Sequence, residues 1–274
     1  MGSGPADGAE PTVIVDDLHV VYRVYGAGGD KGTAATALMR VVKRQRRPSV
    51  REVHAIRGIS FVANRGDAIG VIGRNGSGKS TLLRAIAGLL PPEEGNVYTT
   101  GEASLLGVNA ALLDDLTGER NVVLGCLAMG MTPQETKDRY QSIVDFSGVG
   151  NFIDYPMRTY SSGMAQRLRF SIASAKNHEI LMIDEALATG DANFRAKSHE
   201  RIVELRGEAG TVFLVAHNLA EIEASCNRVI WLEKGQIMRQ GYDVPGIIDA
   251  YLEATGGEPR KRDKHEHNEH SATS

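Results

Sequence analysis

The residues best suited to chemistry are Gly73-Arg74-Asn75-Gly76-Ser77-Gly78-Lys79-Ser80, which match the phosphate-loop spacing G-x-x-x-x-G-K-[ST]. Glycines at this spacing let backbone N–H groups close around phosphate oxygens. A helix that starts at the loop adds its partial positive charge. Lys79 is then the mobile cation for the β and γ phosphates of a nucleotide, and the Ser80 hydroxyl is a ligand for Mg2+. Thr81 follows as the next polar group on the same turn. A second chemical position is Ile180-Leu181-Met182-Ile183-Asp184-Glu185, an apolar run that ends in two acids. Adjacent acids at a strand end are most often a solvated turn, but pairing with a phosphate loop reverses that weighting. Asp184 is then placed to bind Mg2+, through water, and Glu185 to polarise an attacking water. His217 closes another apolar run, Thr211 to Ala216. A lone histidine is more often structural, but the end of a core strand favours a sensor of the γ phosphate.

These positions require particular elements around them. Ala68-Ile69-Gly70-Val71-Ile72 reads as a short buried strand running into the loop. Beyond it Leu83, Ile86, Ala87 and Leu90 recur at helical spacing, and Pro91-Pro92 is expected to stop that helix. Upstream, Thr12 to Val15, Leu18 to Tyr22 and Val53 to Val62 are strand material, and Gly95 to Leu106 reads as short strands and turns. From about 117 to 176 the pattern becomes helical, with Thr132-Pro133-Gln134-Glu135 a capping box that has proline at the first helical position. Arg228 to Gln240 reads as a hairpin turning at Glu233 to Gln236, and a last helix covers Val244 to Ala254. The expected fold is therefore α/β: a phosphate-loop core of strands and helices, an inserted helical subdomain, and an N-terminal antiparallel β part.

Composition narrows the function classes. The 274 residues suffice for a large core, and the net charge of −3 argues against a general nucleic-acid binder. The two cysteines, Cys126 and Cys226, lie far apart without metal-ligand spacing and read as small buried apolar residues. No apolar run approaches the ~18 residues of a membrane span, and no signal-peptide pattern opens the chain, so a soluble protein is expected. Residues 1–11 and 257–274 read as polar tails; His265, His267 and His270 in the second could bind a metal weakly, but composition favours a disordered tail. Between about 26 and 52 lies an insertion whose second half is basic, with Arg40, Lys43, Arg44, Arg46 and Arg47 beside Leu38, Met39, Val41 and Val42. Two readings of it stand near even: an amphipathic segment against anionic lipid or a membrane partner, or a solvated basic loop.

Tyr160-Ser161-Ser162-Gly163-Met164-Ala165-Gln166-Arg167 lies between the phosphate loop and Asp184. There ATP-binding-cassette (ABC) proteins carry a signature of the LSGGQ type, which this stretch resembles with Tyr, Ser and Met in place of Leu, the first Gly and Gln. The spelling is similar to that of the ATPase subunits of polysaccharide exporters, of O-antigen (Wzt-like), teichoic-acid (TagH-like) and galactan type. Leu116-Thr117-Gly118-Glu119-Arg120-Asn121, Glu185-Ala186-Leu187-Ala188-Thr189-Gly190-Asp191 and the basic insertion add to the likeness, which spans about residues 12–254.

The resemblance implies an ATPase using ATP and Mg2+. It would work as a head-to-tail dimer with a second copy, at the cytoplasmic face of the membrane, on a polytopic permease that carries a lipid-linked glycan. It implies nucleotide contacts from residues 73–81 and from Tyr160, Ser161, Ser162, Gly163, Met164 and Asp191, with Ser161 and Gly163 presented to the nucleotide held by the second copy. The glutamine that senses Mg2+ in the family is absent; its place falls at Val108 or Asn109, of which only Asn109 could substitute as a ligand. The adenine-stacking aromatic is Tyr22 by register, with His54 as the rival. Some such subunits carry a further carbohydrate-reading domain; the ~20 residues after about Ala254 are too few and too polar to build one, so none is expected in this stretch. Other readings are the ATPase of a drug or lipid exporter, which the signature spelling disfavours, and a non-transport ABC ATPase. The latter would need long coiled coils or two cassettes, and no sustained heptad and one signature are seen.

Overall fold

The computed structural model describes residues 9–25, 50–106, 112–184, 192–215 and 218–257. Two sheets organise these residues. The first is antiparallel, with strands β1 (Pro11–Tyr25), β2 (Val50–Asn64) and β4 (Glu94–Thr99) in the order β2-β1-β4. The second has the order β5-β6-β7-β3-β8-β9, built from β3 (Ala68–Ile72), β5 (Ala103–Leu105), β6 (Ile180–Asp184), β7 (Thr211–Val215), β8 (Arg228–Glu233) and β9 (Gln236–Gly241). All its neighbours pair parallel except β8 and β9, a hairpin turned by Lys234 and Gly235, both at positive φ. The parallel strands carry near-continuous apolar runs because both faces are covered. Ile69, Val71, Leu181, Met182 and Phe213 are fully buried.

The sheets share one core. Val13, Val15, Leu18, Val20, Ile59 and Phe61 from the antiparallel sheet pack with Ile69, Val71, Phe213, Ile230 and Leu232 from the other. Leu82, Leu83 and Ile86 of helix α1 (Lys79–Ile86) close that core. The helix is shorter than the spacing to Leu90 predicts. It ends at Ala87, Gly88 turns to φ +68°, and Leu90 packs on the core from outside the helix. A left-handed glycine stops a helix before any downstream proline can act. Residues 12–15 and 18–22, expected as separate segments, form one strand, kinked by register shifts around Asp17 at φ +44°. At the other end of the insertion, Val50, Arg51 and Glu52 pair with Tyr25, Val24 and Arg23, so residues 50–52 belong to β2.

The helical part is α2 (Gly118–Ala128), α3 (Pro133–Ser147), two short 3-10 turns and α4 (Ser162–Ala173). It has its own core of Val122, Cys126, Met129, Ile143, Met157, Leu168 and Ile172. The Thr132 capping box forms as expected: Glu135 N–H donates to Thr132 Oγ1 at 3.2 Å, and Thr132 N–H donates to the Glu135 carboxylate at 2.7 Å. Phe146 and Phe170 tie this part to Phe194 on α5 (Ala192–Glu208) through ring contacts of 5.8–6.0 Å. Helices α6 (Leu219–Ser225) and α7 (Val244–Thr255) complete the fold. Among the described residues no helix is long and apolar enough to cross a membrane.

Candidate functional site

The loop from Gly73 to Gly78 leaves β3 and enters α1, so strand, loop and helix follow as the motif requires. Its glycines answer to crowding as well as to torsion. Gly73 sits at φ +149°, and a Cβ there would collide with the Leu232 carbonyl. Gly78, at φ +109°, would bring a Cβ to 2.8 Å from the Ala55 carbonyl and 2.9 Å from Ile56. Gly235 presses on the same Ala55 carbonyl and braces the loop, its N–H donating to the Ser77 carbonyl at 2.9 Å. The Gly235 carbonyl in turn accepts from Arg57 N–H at 2.9 Å, so β2 and the β8–β9 turn both hold the loop. Sequence reasoning missed this brace; the Lys234-Gly235 turn was legible, but its seat against residue 77 is set by tertiary packing.

Inside the loop the Lys79 ammonium donates to the carbonyls of Gly73 at 2.7 Å and Arg74 at 3.1 Å. Burial holds its pKa below the ordinary lysine value, while Asp184 and Glu233 pull the other way. Ser80 Oγ donates to Asp184 Oδ2 at 3.0 Å, across 104 positions of sequence. That pair stands in a cleft of about 670 Å³ whose walls include Lys79, Thr81, Tyr22, His54 and Val53. Tyr22 and His54 therefore both line it, and the Tyr22 and Thr81 hydroxyls lie 3.4 Å apart. Val53, the cross-strand partner of Tyr22, and Val215 add apolar wall that sequence reasoning did not single out.

The residues present fit a nucleotide's phosphates and a divalent cation. The loop is a cradle that a Cβ at position 73 or 78 would fill. Ser77 is buried, and its hydroxyl finds no partner among the described residues. A serine hydroxyl and a carboxylate 3.0 Å apart form a hard oxygen donor set suited to Mg2+.

The signature residues belong to another part of the molecule. Ser161 caps α4, its Oγ accepting from Met164 N–H at 3.2 Å, and Ser161 and Ser162 are exposed. Tyr160 and Met164 pack on the helical core, and the Tyr160 hydroxyl donates to the Phe152 carbonyl at 2.7 Å. None of residues 160–164 lines the cleft, whereas Asn75, Gly76, Gly78, Lys79, Ser80 and Thr81 do. Asn109, Glu185, Asp191 and His217, with Val108, lie outside the described residues.

Residues 56–188 match the family model described as ABC transporter. A Klebsiella pneumoniae protein named O-antigen export system ATP-binding protein RfbB is 40% identical over 205 residues, covering 74% of this chain and 83% of that protein. A Bacillus anthracis protein named teichoic acids export ATP-binding protein TagH is 40% identical over 200 residues, covering 73% of this chain. The chain spans 36% of the length of that relative. Among solved structures, the post-hydrolysis dimer of the ATP-binding cassette MJ0796 with ADP and Pi aligns at a TM-score of 0.62 and 20% identity. That alignment covers 84% of this chain and 98% of the other, and supports the fold. With a phosphate loop, a Ser80–Asp184 pair and a relative matched over most of its length, the chain belongs to the ABC transporter family of ATP-binding proteins.

Proposed function

We propose that the chain hydrolyses ATP to drive export of a lipid-linked polysaccharide through a polytopic permease at the cytoplasmic face of the membrane. The observation that carries the chemical half is the meeting of Lys79, Ser80 and Asp184 in one cleft under the glycine loop. The substrate half rests on relatives named for O-antigen and teichoic-acid export.

In this reading the N–H groups of residues 74–80 and the Lys79 ammonium grip the β and γ phosphates. Bound Mg2+ would neutralise phosphate charge, held by Ser80 and Asp184. Tyr22 or His54 stacks on the base from the strand side. Glu185 accepts a proton from the attacking water, and His217 contacts the γ phosphate. Ser161, Ser162 and Gly163, at the exposed start of α4, are offered to the nucleotide held by a second copy. Asp191 and Asn109 take the supporting positions at that interface and at the cation. ATP then joins two copies, and its hydrolysis releases them, so nucleotide biases the permease between two states.

The purified chain should turn over MgATP. Lys79→Ala should lose binding by about two to three orders of magnitude, because it deletes a hydrogen-bonded, partly desolvated cation. Glu185→Gln should bind MgATP and accumulate as a dimer without turnover, read by light scattering and phosphate release. Full turnover in both variants would sink the ATPase reading. Co-purification from membranes tests the permease, and a polymer-length assay on depleted cells tests the glycan.

A further inference from the structure

The phosphate loop borders a second cavity, of about 400 Å³, lined by Gly73, Arg74, Asn75, Leu219 and Tyr251 among others. Asn75 and Lys79 line both this cavity and the cleft with Ser80 and Asp184, so the loop is a wall common to the two. Tyr251 lies in no motif. It sits on α7, which Val244, Ile247 and Ile248 anchor in the core, and it is half-buried. Its ring meets Trp231 edge-on, centroids 5.6 Å apart and planes at 80°. Trp231 in turn stands beside Ile72 in the parallel pairing of β3 with β8, and Ile72 immediately precedes Gly73. Tyr251 thus reaches the loop by two routes, through Trp231 to the strand feeding it and across the cavity to Arg74. Arg74 is close enough to oppose the upward push that burial and Glu233 exert on the tyrosine's ionisation.

We propose that Tyr251 is a positioning residue for nucleotide binding, coupling the phosphate loop to the seat of helix α7 through Trp231. This rests on the nucleotide reading above. Phosphates that order residues 73–76 also fix the wall against which Tyr251 packs. By linkage, the seat of α7 must then alter nucleotide affinity by the same factor.

Trp231 is the single tryptophan of the chain, so its emission reports on the surroundings of this one ring, the Tyr251 contact among them. The full chain is titrated with a non-hydrolysable ATP analogue and Mg2+, with binding measured independently by equilibrium dialysis. Wild type and Tyr251→Phe should bind equally and show the same change in Trp231 emission. Tyr251→Leu, which keeps apolar bulk without the aromatic edge, should bind about three- to tenfold more weakly and lose the emission change. Unaltered affinity in Tyr251→Leu would overturn the positioning role and leave the nucleotide reading standing. No binding by wild type in dialysis would overturn both. Should Tyr251→Leu fail to fold, wild type decides: bound nucleotide with unchanged Trp231 emission overturns the coupling.

Discussion

At Ser80 and Asp184, two oxygen donors from distant parts of the chain hydrogen-bond to each other at 3.0 Å. A cation taken by a lone pair of Ser80 Oγ, with Asp184 reached through water, would leave that bond in place, and the two side chains then act as a unit. Energies of residues acting as a unit are not additive. Ser80→Ala and Asp184→Asn should each weaken nucleotide binding in Mg2+ while leaving binding in EDTA nearly unchanged. The double variant should cost less than the sum of the singles, with an interaction energy of about 0.5–3 kcal/mol. Titrations of the four proteins with and without Mg2+ measure it. Equal losses in EDTA would mean that the pair supports the loop and not the metal. Both residues were legible in the sequence, Ser80 from the loop pattern and Asp184 from its place at the end of an apolar run. The acid's partner was legible because the chemistry demands one. Tyr22 against His54 was not decided, because they stand on neighbouring strands and both line the same cleft.

Helix α4 shows how an element can carry function that its own packing does not explain. Gly163 occupies its second position with helical torsion, and a Cβ there would meet nothing within 4 Å. Neither strain nor space inside the chain calls for glycine at that place. Gly163→Ala should therefore stabilise the monomer by up to about 1 kcal/mol, the propensity difference in a helix. If α4 faces a second copy, the same change should reduce ATP-dependent dimer formation. Denaturation of the monomer and light scattering with MgATP give the two readouts; unchanged dimerisation would remove Gly163 from the interface.

At the other end of α4, His178 is buried, with Nε2 3.2 Å from the Ala173 carbonyl and no partner for Nδ1 among the described residues. Burial lowers its pKa, against a smaller upward pull from that carbonyl and Glu102, with Lys176 adding to the lowering. The unfolded chain therefore takes up this proton first as pH falls below the ordinary value of about 6.5, and folding loses stability through that window. Above 6.5 the contribution is fully present. His178→Gln should flatten this part of the stability profile, and urea midpoints between pH 5 and 7.5 test it. These elements were foreseen where their signals are local, as with the Thr132 box and the Lys234-Gly235 turn. They were misjudged where one residue overrides a pattern, as Gly88 ends α1 before Leu90.

The molecule as a whole must keep its antiparallel sheet fixed to the parallel one, because the cleft takes Tyr22 and Val53 from the first and Asp184 and Val215 from the second. Apolar packing does most of this, with Phe61 against Phe213 at 6.1 Å. A buried polar clamp does the rest. Arg228 Nη1 contacts Asp67 Oδ2 at 3.2 Å and donates to the Val62 carbonyl, while Nη2 donates to Gln240 Oε1 at 3.0 Å. The Tyr242 hydroxyl donates to Asp67 Oδ1 at 3.1 Å, and the guanidinium lies 5.4 Å from the Tyr242 ring. One charge pair thus joins the end of β2, the start of β3 and the β8–β9 hairpin. No sequence pattern links positions 161 apart, so this pair was invisible until the strands were laid side by side. Both side chains are at most 10% exposed, so removing one partner leaves a buried charge without its counterion. Asp67→Ala and Arg228→Ala should each cost about 3–5 kcal/mol, a large share of a typical domain's stability. Replacing both, by Asp67→Ala with Arg228→Met, should cost less than either cost doubled, since no charge is then stranded. Nucleotide affinity of the folded fraction should hold, because Asp67 precedes β3 and the phosphate loop follows it. Guanidinium denaturation of the singles and the double, with binding measured well below each midpoint, separates the two effects. Additive losses would show that Asp67 and Arg228 act through their other partners. Affinity falling in step with stability would show that the clamp also shapes the cleft.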